Sequence, residues 1–340
     1  KHRKFKLVSK KNVNYYFFKI FPNNEINFII NKFFFYLFKD KWQLFLLKIC
    51  LFFFRPDIVH SLEMQRAGLL FLKSRNNKNN IKWISTNWGS DLYLFSKLNY
   101  YSSNLSYLLK SIDYYSAECK RDYEIAKKLG FKGSFLPCIP NGGGFNINII
   151  ESLRSKYKFE DRKIILIKGY QSIVGRALDI LKVIENIHDE IKDFEIIFYS
   201  SSDSVLINAE LIKNKYDLNI VTFPENKIID YDEMINLFSK SIIYIGHSLS
   251  DGISTSLLEA MALGAYPIQT NTSCASEWID RDSGFISNLY DLSHIEKKIL
   301  EIINDENVFY NAFHKNFNTI KKRADQKNIS KIAIDYYQNI

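Results

Sequence analysis

The sequence predicts an α/β fold with two parallel sheets, and three observations carry that prediction. Short apolar runs alternate with helical patterns along most of the chain, the mark of strand–helix–strand units and hence of parallel sheets. At 340 residues the chain is long enough for two such domains with separate cores. Residues 137–145 (PCIPNGGGF) lie between the two halves, and three consecutive glycines there permit tight turns and close backbone approach. A hinge and a ligand-contacting loop are both open readings of that junction.

In the first half, residues 56–60 (PDIVH) read as a short buried strand with His60 at its C-terminal end, where α/β sites collect. Residues 68–72 lead into a helix. Residues 81–86 form the next strand, which ends in Asn87, Trp88, Gly89, Ser90 and Asp91. Residues 113–115 are a strand and 116–129 a helix stopped by Gly130. In the second half, 164–167 is a strand, Lys168, Gly169 and Tyr170 open a loop, and a helix runs from Arg176 to 187. Residues 194–199 and 219–223 are strands, and Asp232 caps a helix over 233–239. Helices over 293–304, 308–323 and 329–337 close the chain.

The most informative stretch is 246–284 (GHSLSDGISTSLLEAMALGAYPIQTNTSCASEWIDRDSG). An apolar strand over 241–245 leads into it, and a small polar loop follows. Residues 254–263 then read as a helix ended by Gly264, with another strand at 266–270. That helix is apolar nearly all round except for Glu259, and a buried carboxylate needs donors from the protein or from a ligand. Ser254, Thr255 and Ser256 stand where a helix N-terminus exposes unpaired N–H groups, an arrangement that attracts phosphate. Phosphates at the helix start and a hydroxyl-rich group beside Glu259 describe a nucleotide-sugar. An ordinary strand–loop–helix, with Glu259 satisfied by a neighbouring Arg or Lys, fits the stretch taken alone as well.

This stretch resembles the nucleotide-binding signature of the retaining family 4 glycosyltransferases of GT-B fold. Their pattern of an acid, seven residues and a glutamate appears here as Asp251 and Glu259, with aspartate in the first place. The wording SDGISTSLLEAM and PIQTNTSCASEWI looks like a bacterial branch that makes surface polysaccharides, lipopolysaccharide among them. The resemblance implies two Rossmann-like domains facing each other across a cleft: 1–155 on the acceptor side, 156–324 for the nucleotide-sugar, and a C-terminal helix over 325–340 that returns to the first domain. It implies that Asp251 holds donor-sugar hydroxyls and Glu259 the ribose. Lys168 and Arg176 would grip the diphosphate, with Gly169, Gly252, Ile253, Ser254, Thr255 and Glu277 around the donor. Many relatives carry a histidine where Trp88 stands. Asp91 or Asn87 taking over its role and a simple turn with a packed Trp both stay open.

The transfer implied is metal-independent and keeps the anomeric configuration, with no cofactor. In the front-face route usual for the family, the leaving diphosphate accepts the acceptor's proton while the protein orients and stabilises charge. The acceptor implied is a lipid-linked or surface glycan at the inner face of the cytoplasmic membrane. Two other classes compete: a nucleotide-sugar 2-epimerase of the same fold, and a non-catalytic donor-binding partner of another transferase.

Composition narrows the partners. Residues 1–155 hold 25 Lys and Arg against 10 Asp and Glu, a net of +15, while 156–340 hold 21 against 27, a net of −6. A basic first half suits a negatively charged partner. No nucleic-acid motif is present, and the mixture of Lys with aromatics favours an anionic membrane surface. Residues 33–54 are rich in Phe but interrupted by Lys39, Asp40, Lys41 and Lys48, so they lack the uncharged run of a membrane span. They read as a core helix with a lipid-facing minority. The basic start, 1–11, has no apolar segment of a signal peptide after it, and a chain truncated at its start, without the usual first strand and glycine loop, is expected.

Cys50, Cys119, Cys138 and Cys274 are scattered with no CxxC pair, which argues against a disulfide framework or zinc site and suits a reducing compartment. Two D-x-D matches, Asp230 with Asp232 and Asp280 with Asp282, have the form of a metal–diphosphate motif and read as solvated loop acids.

Overall fold

A computed structural model describes residues 40–75 and 80–340. The basic start, residues 33–39 of the aromatic stretch, most of the Asn/Lys-rich loop after Arg75 and the expected truncation lie outside the described residues.

The described residues fall into two compact units, one with residues 40–56 and 73–75, the other with 57–72 and 80–340. The described part of the first is chiefly α1 (Asp40–Phe54), one helix that ends just before Pro56, as the restriction on a pre-proline residue demands. Phe45, Phe52, Phe53 and Phe54 are exposed on it. Among the described residues, no helix is long and apolar enough to cross a membrane.

The second unit holds two all-parallel sheets. In the smaller, β1 (Ile58–Leu62), β2 (Lys82–Thr86), β3 (Tyr114–Ser116) and β4 (Ser134–Phe135) lie in sequence order. The helices of this region are α2 (Leu69–Ser74), α3 (Ser90–Tyr93), α4 (Asn99–Ser111) and α5 (Lys120–Lys128), and α6 (Ile147–Arg154) follows the glycine junction.

The larger sheet contains β5 (Ile164–Lys168), β6 (Glu195–Ser201), β7 (Ile220–Pro224), β8 (Ser241–Gly246), β9 (Tyr266–Thr270) and β10 (Phe285–Ser287), in the order β10-β9-β8-β5-β6-β7. Its helices are α7 (Ala177–Asn186), α8 (Asp203–Tyr216), α9 (Tyr231–Lys240), α10 (Thr255–Leu263), α11 (Leu292–Asn304) and α12 (Glu306–Arg323), and α13 (Gln326–Gln338) ends the chain. From β5 the chain first builds outward through β6 and β7, then returns to the other side of β5 with β8. The strand order therefore reverses between β5 and β8, and ligands of open parallel sheets bind outside the carboxyl ends of the strands at such a reversal.

Both faces of these central strands are covered, which explains why they read as unbroken apolar runs. Ile165, Ile167, Ile243 and Ile245 face one core, and Leu166 and Tyr244 face the other, together with Leu257, Leu258 and Met261 of α10. The end of α10 is fixed twice. Gly264 takes a left-handed φ of 90°, which a side chain would strain, and Nη2 of the fully buried Arg162 donates to Leu263 O at 3.1 Å. Burial lowers Arg162 to about 10, still far above neutrality, so the carbonyl clamp keeps its charge.

Four expectations need correction. The helix expected from 116 begins at Lys120, because Ser116 still pairs in β3 and Cys119 is extended. The helix expected after Asp232 begins at Tyr231 with Asp230 as its N-cap residue. The surface helices α4, α6 and α8 and the short strands β4 and β10 were not anticipated. Finally, Cys119 and Cys274, 155 residues apart in sequence, form a disulfide with a Cα–Cα distance of 6.3 Å; scattered spacing concealed a pairing made only by the fold.

α13 packs on the smaller sheet. Tyr336 is buried with Ile84 and Leu136 and donates to Pro137 O. Nδ1 of His60 lies 2.7 Å from the Tyr337 hydroxyl and its Nε2 2.6 Å from the Thr86 hydroxyl. Burial lowers His60 to about 4, so it is a neutral tether for the C-terminal helix.

Candidate active site

Lys168 is the last residue of β5, and Asp251 lies in the loop after β8, so both occupy the strand ends where the sheet order reverses. Lys168 Nζ stands 3.7 Å from Asp251 Oδ2. Asp251 Oδ1 accepts from the N–H of Gly252 at 2.9 Å, which fixes the carboxylate's rotation. The ammonium lies 4.9 Å from the centre of the Tyr170 ring. Burial opposes its charge, but Asp251, Tyr244 and Tyr170 outweigh burial and raise Lys168 above the ordinary lysine range.

Beside this pair, α10 begins at Thr255, which is exposed, after the buried N-cap residue Ser254. Glu259 sits in the middle of the helix and is only 9% exposed. Among the described residues no hydrogen bond or ion pair satisfies its carboxylate, so the reading that a neighbouring Arg or Lys neutralises it does not hold. Burial pushes Glu259 up to about 7, and Lys168 only partly offsets this. An unpaired buried carboxylate is expensive in an empty protein and is satisfied once a ligand brings donors.

Close backbone approach builds the floor. Gly169 N donates to Tyr199 O at 2.7 Å, joining the ends of β5 and β6. Gly89 has a φ of 103°, and a Cβ there would fall 2.1 Å from Gly252 N. The turn after β2 and the Asp251–Gly252 loop therefore touch backbone to backbone, and Ser90 Oγ donates to Ser250 O nearby at 3.3 Å. Ile253 is buried behind them.

The smaller sheet contributes residues that are mostly committed to each other. Asn87 accepts from the Tyr115 hydroxyl at 2.7 Å and donates to Asp122 at 2.6 Å. Both Asp91 oxygens accept backbone N–H groups, from Trp88 at 2.7 Å and Met64 at 3.1 Å, and burial lifts Asp91 to about 7. Neither side chain has the free polar atom expected of a histidine substitute. Trp88 is not packed away either, being 55% exposed.

The remaining expected residues are more dispersed. Glu277 spends both carboxylate oxygens on the first N–H groups of α5, Lys120 at 3.0 Å and Arg121 at 3.1 Å, in favourable alignment with the helix dipole. Arg176 turns Nη1 onto the carbonyls of Ser172 and Gly175, each at 2.8 Å, in a loop bound to the segment after β8 through Leu249 N and Val174 O. Asp280 and Asp282 pair with Lys315, as solvated loop acids would.

Two residues at the site went unnoticed in the sequence. Glu118, after β3, accepts from Asn141 N at 2.7 Å, and burial lifts it to about 8 against the hydrogen bonds from Asn141 and Ile253. Arg121 donates to Asp251 O at 2.9 Å. Their signal was a charged cluster (ECKRD) directly after a predicted strand, where α/β sites collect. Together these groups offer a cation, a helix N-terminus and two carboxylates, a set suited to a ligand that is anionic at one end and rich in hydroxyls at the other.

Comparison with known proteins bears on that ligand. Residues 150–324 match the family Glycosyl transferases group 1. No curated protein matches the chain. Among solved structures, it is similar to the E. coli trehalose-6-phosphate structure bound with UDP-2-fluoro glucose, with a TM-score of 0.70 and 12% identity over 88% of this chain and 78% of that one. Sucrose-phosphate synthase from Thermosynechococcus elongatus gives 0.69 and 14% over 87% and 76%. Anabaena HepE in complex with UDP and glucose gives 0.65 and 12% over 84% and 78%. At these identities the likeness is one of fold.

Proposed function

Since the chain belongs to the group 1 glycosyl transferases and has their GT-B type of α/β fold, we propose that it transfers a sugar from a nucleotide-sugar to a lipid-linked or surface glycan with retention of configuration. The observation that carries this reading is the unpaired carboxylate of Glu259, eight residues beyond the Asp251–Lys168 pair. In this reading Glu259 accepts hydrogen bonds from the ribose and Asp251 from the donor sugar. Lys168, Arg176 and the backbone N–H groups of Gly169, Gly252, Ile253, Ser254 and Thr255 receive the diphosphate. Asp91 and Glu277 act from behind, holding the turn after β2 and the start of α5.

The bond from the anomeric carbon to the diphosphate oxygen breaks, and the acceptor oxygen bonds to that carbon on the same face. The acceptor's proton passes to the departing diphosphate. Lys168 and the start of α10 stabilise the charge that develops there, so no metal is needed for that purpose. UDP-sugars are the first donors to try, because two of the similar structures hold UDP or a UDP-sugar. The exposed aromatics of α1 and the +15 charge of residues 1–155 favour work at the inner face of an anionic membrane.

The test is incubation with radiolabelled UDP- and GDP-sugars, with and without membrane lipids. Label in the lipid or glycan fraction is expected. Free epimerised donor would make the protein an epimerase, and donor binding without turnover a non-catalytic partner; either result would overturn the reading.

A further inference from the structure

Asp251 belongs to the larger sheet, yet its main chain is held from the smaller one. The guanidinium of Arg121, in the first turn of α5, makes three directed bonds. Nε donates to Asp122 Oδ1 at 2.9 Å, Nη1 to Thr272 O at 3.1 Å and Nη2 to Asp251 O at 2.9 Å. Its Cζ lies over the Tyr93 ring, 3.9 Å from the ring centre. Asp251 follows β8 and Thr272 follows β9, so one side chain joins two adjacent strand-end loops of the larger sheet to α5. Glu277, after β9, holds the first N–H groups of the same helix turn, so the guanidinium is delivered on a fixed support.

We infer that Arg121 is a positioning residue for Asp251. With Nη2 on the Asp251 carbonyl and the Gly252 N–H on its carboxylate, the main chain on both sides of the side chain is fixed, and Oδ2 is left directed at Lys168. A planar fork that stacks on Tyr93 while donating in three directions is a task lysine cannot perform. The donor site is therefore assembled by residues of both sheets, although every group proposed to touch the diphosphate belongs to one. This inference rests on the reading of Asp251 as a donor-sugar ligand.

The experiment is a double-mutant cycle of Arg121→Lys with Asp251→Asn, read as affinity for UDP-glucose and GDP-mannose by titration calorimetry. Arg121→Lys is the variant of choice because it keeps a cation beside the buried Asp122, whereas Arg121→Ala would lower stability for a reason unrelated to Asp251. Arg121→Lys should weaken binding about tenfold in the parent and leave it nearly unchanged in Asp251→Asn, as expected of a charge-assisted network acting through one carboxylate. Equal losses in both backgrounds, or parental affinity in Arg121→Lys, would overturn the inference. Asp251→Asn alone separates the two levels: if it binds like the parent, the reading of Asp251 fails, and the inference with it. Amide exchange supplies a readout that needs no ligand. Residues 248–253 should exchange about tenfold faster in Arg121→Lys while the rest of the larger sheet is unchanged, as for a local opening. Unchanged exchange at 248–253 would equally refute the role.

Discussion

Lys168 Nζ and Asp251 Oδ2 stand 3.7 Å apart, with the two side chains 24% and 22% exposed. A pair at that separation and exposure adds little to stability. Its effect belongs instead to whatever charge arrives. Lys168→Ala should lower kcat/KM for transfer by about 100-fold, the scale of losing one preorganised charge donor. Its melting temperature should stay near that of the parent. Steady-state kinetics with the donor found by screening decides this, and parental kcat/KM in Lys168→Ala would remove the residue from the reaction.

Glu259→Gln keeps the shape of the side chain and removes a charge that has no partner among the described residues. The empty variant should therefore melt no earlier than the parent at pH 8, while its affinity for donor falls about tenfold. Calorimetric titration and thermal melting of the same preparation check both halves. Early melting with normal donor binding would make Glu259 a core residue.

Stability should depend on pH with a definite sign. Burial raises Glu259 and Asp91 to about 7 and Glu118 to about 8, above their ordinary values of 4.5, 3.8 and 4.5. The folded chain thus holds protons that the unfolded chain has released, so the contribution is full below about pH 4 and is lost as pH rises toward 8. For Glu259 alone the change is on the order of 3 kcal/mol. Denaturant titrations of the empty protein should show falling stability between pH 5 and pH 8. Glu259→Gln should flatten part of that slope, and donor binding to the parent should tighten as pH rises through 7.

Asn87 is predicted to act on stability and not on the donor. Asn87→Ala strips a hydrogen bond from Asp122 and an acceptor from the Tyr115 hydroxyl, both buried. Loss of about 1–3 kcal/mol is expected, the scale of leaving buried polar groups unsatisfied. Urea unfolding measures it. If stability were unchanged but donor affinity lost, Asn87 would be a ligand contact after all.

The aromatics at the end of α1 give a membrane prediction. Phe52 and Phe53 are 68% and 74% exposed. Replacing both with Ser should reduce co-sedimentation with anionic vesicles, and salt should reduce it further for the parent. Equal binding of the parent to neutral and anionic vesicles would count against an electrostatic surface.

Most strands of the larger sheet were legible because both of their faces are buried, so the apolar runs of β5 and β8 stand out from their surroundings. The α10 helix was equally clear from its apolar composition and Gly264. α8 was not. It buries Val205, Ala209 and Ile212 but exposes Ile207 and Leu211, which blurs the helical period. At the site, Asp251 and Glu259 were visible because one helix and its preceding loop carry both. Glu118, Arg121 and the Cys119–Cys274 bond were hidden for the opposite reason. Arg121 and Asp251 are 130 positions apart, and no local pattern encodes a contact that only the assembled sheets create.

The smaller sheet receives its closing helix from the far end of the chain. Ile84 and Leu136 pack on Tyr336, and His60 meets Tyr337. During synthesis these surfaces emerge long before their cover, which is still being translated. Every strand of the larger sheet, and α7 to α12, precede α13 in the chain. A chain stalled just short of α13 would leave Ile84 and Leu136 without the Tyr336 ring that packs on them.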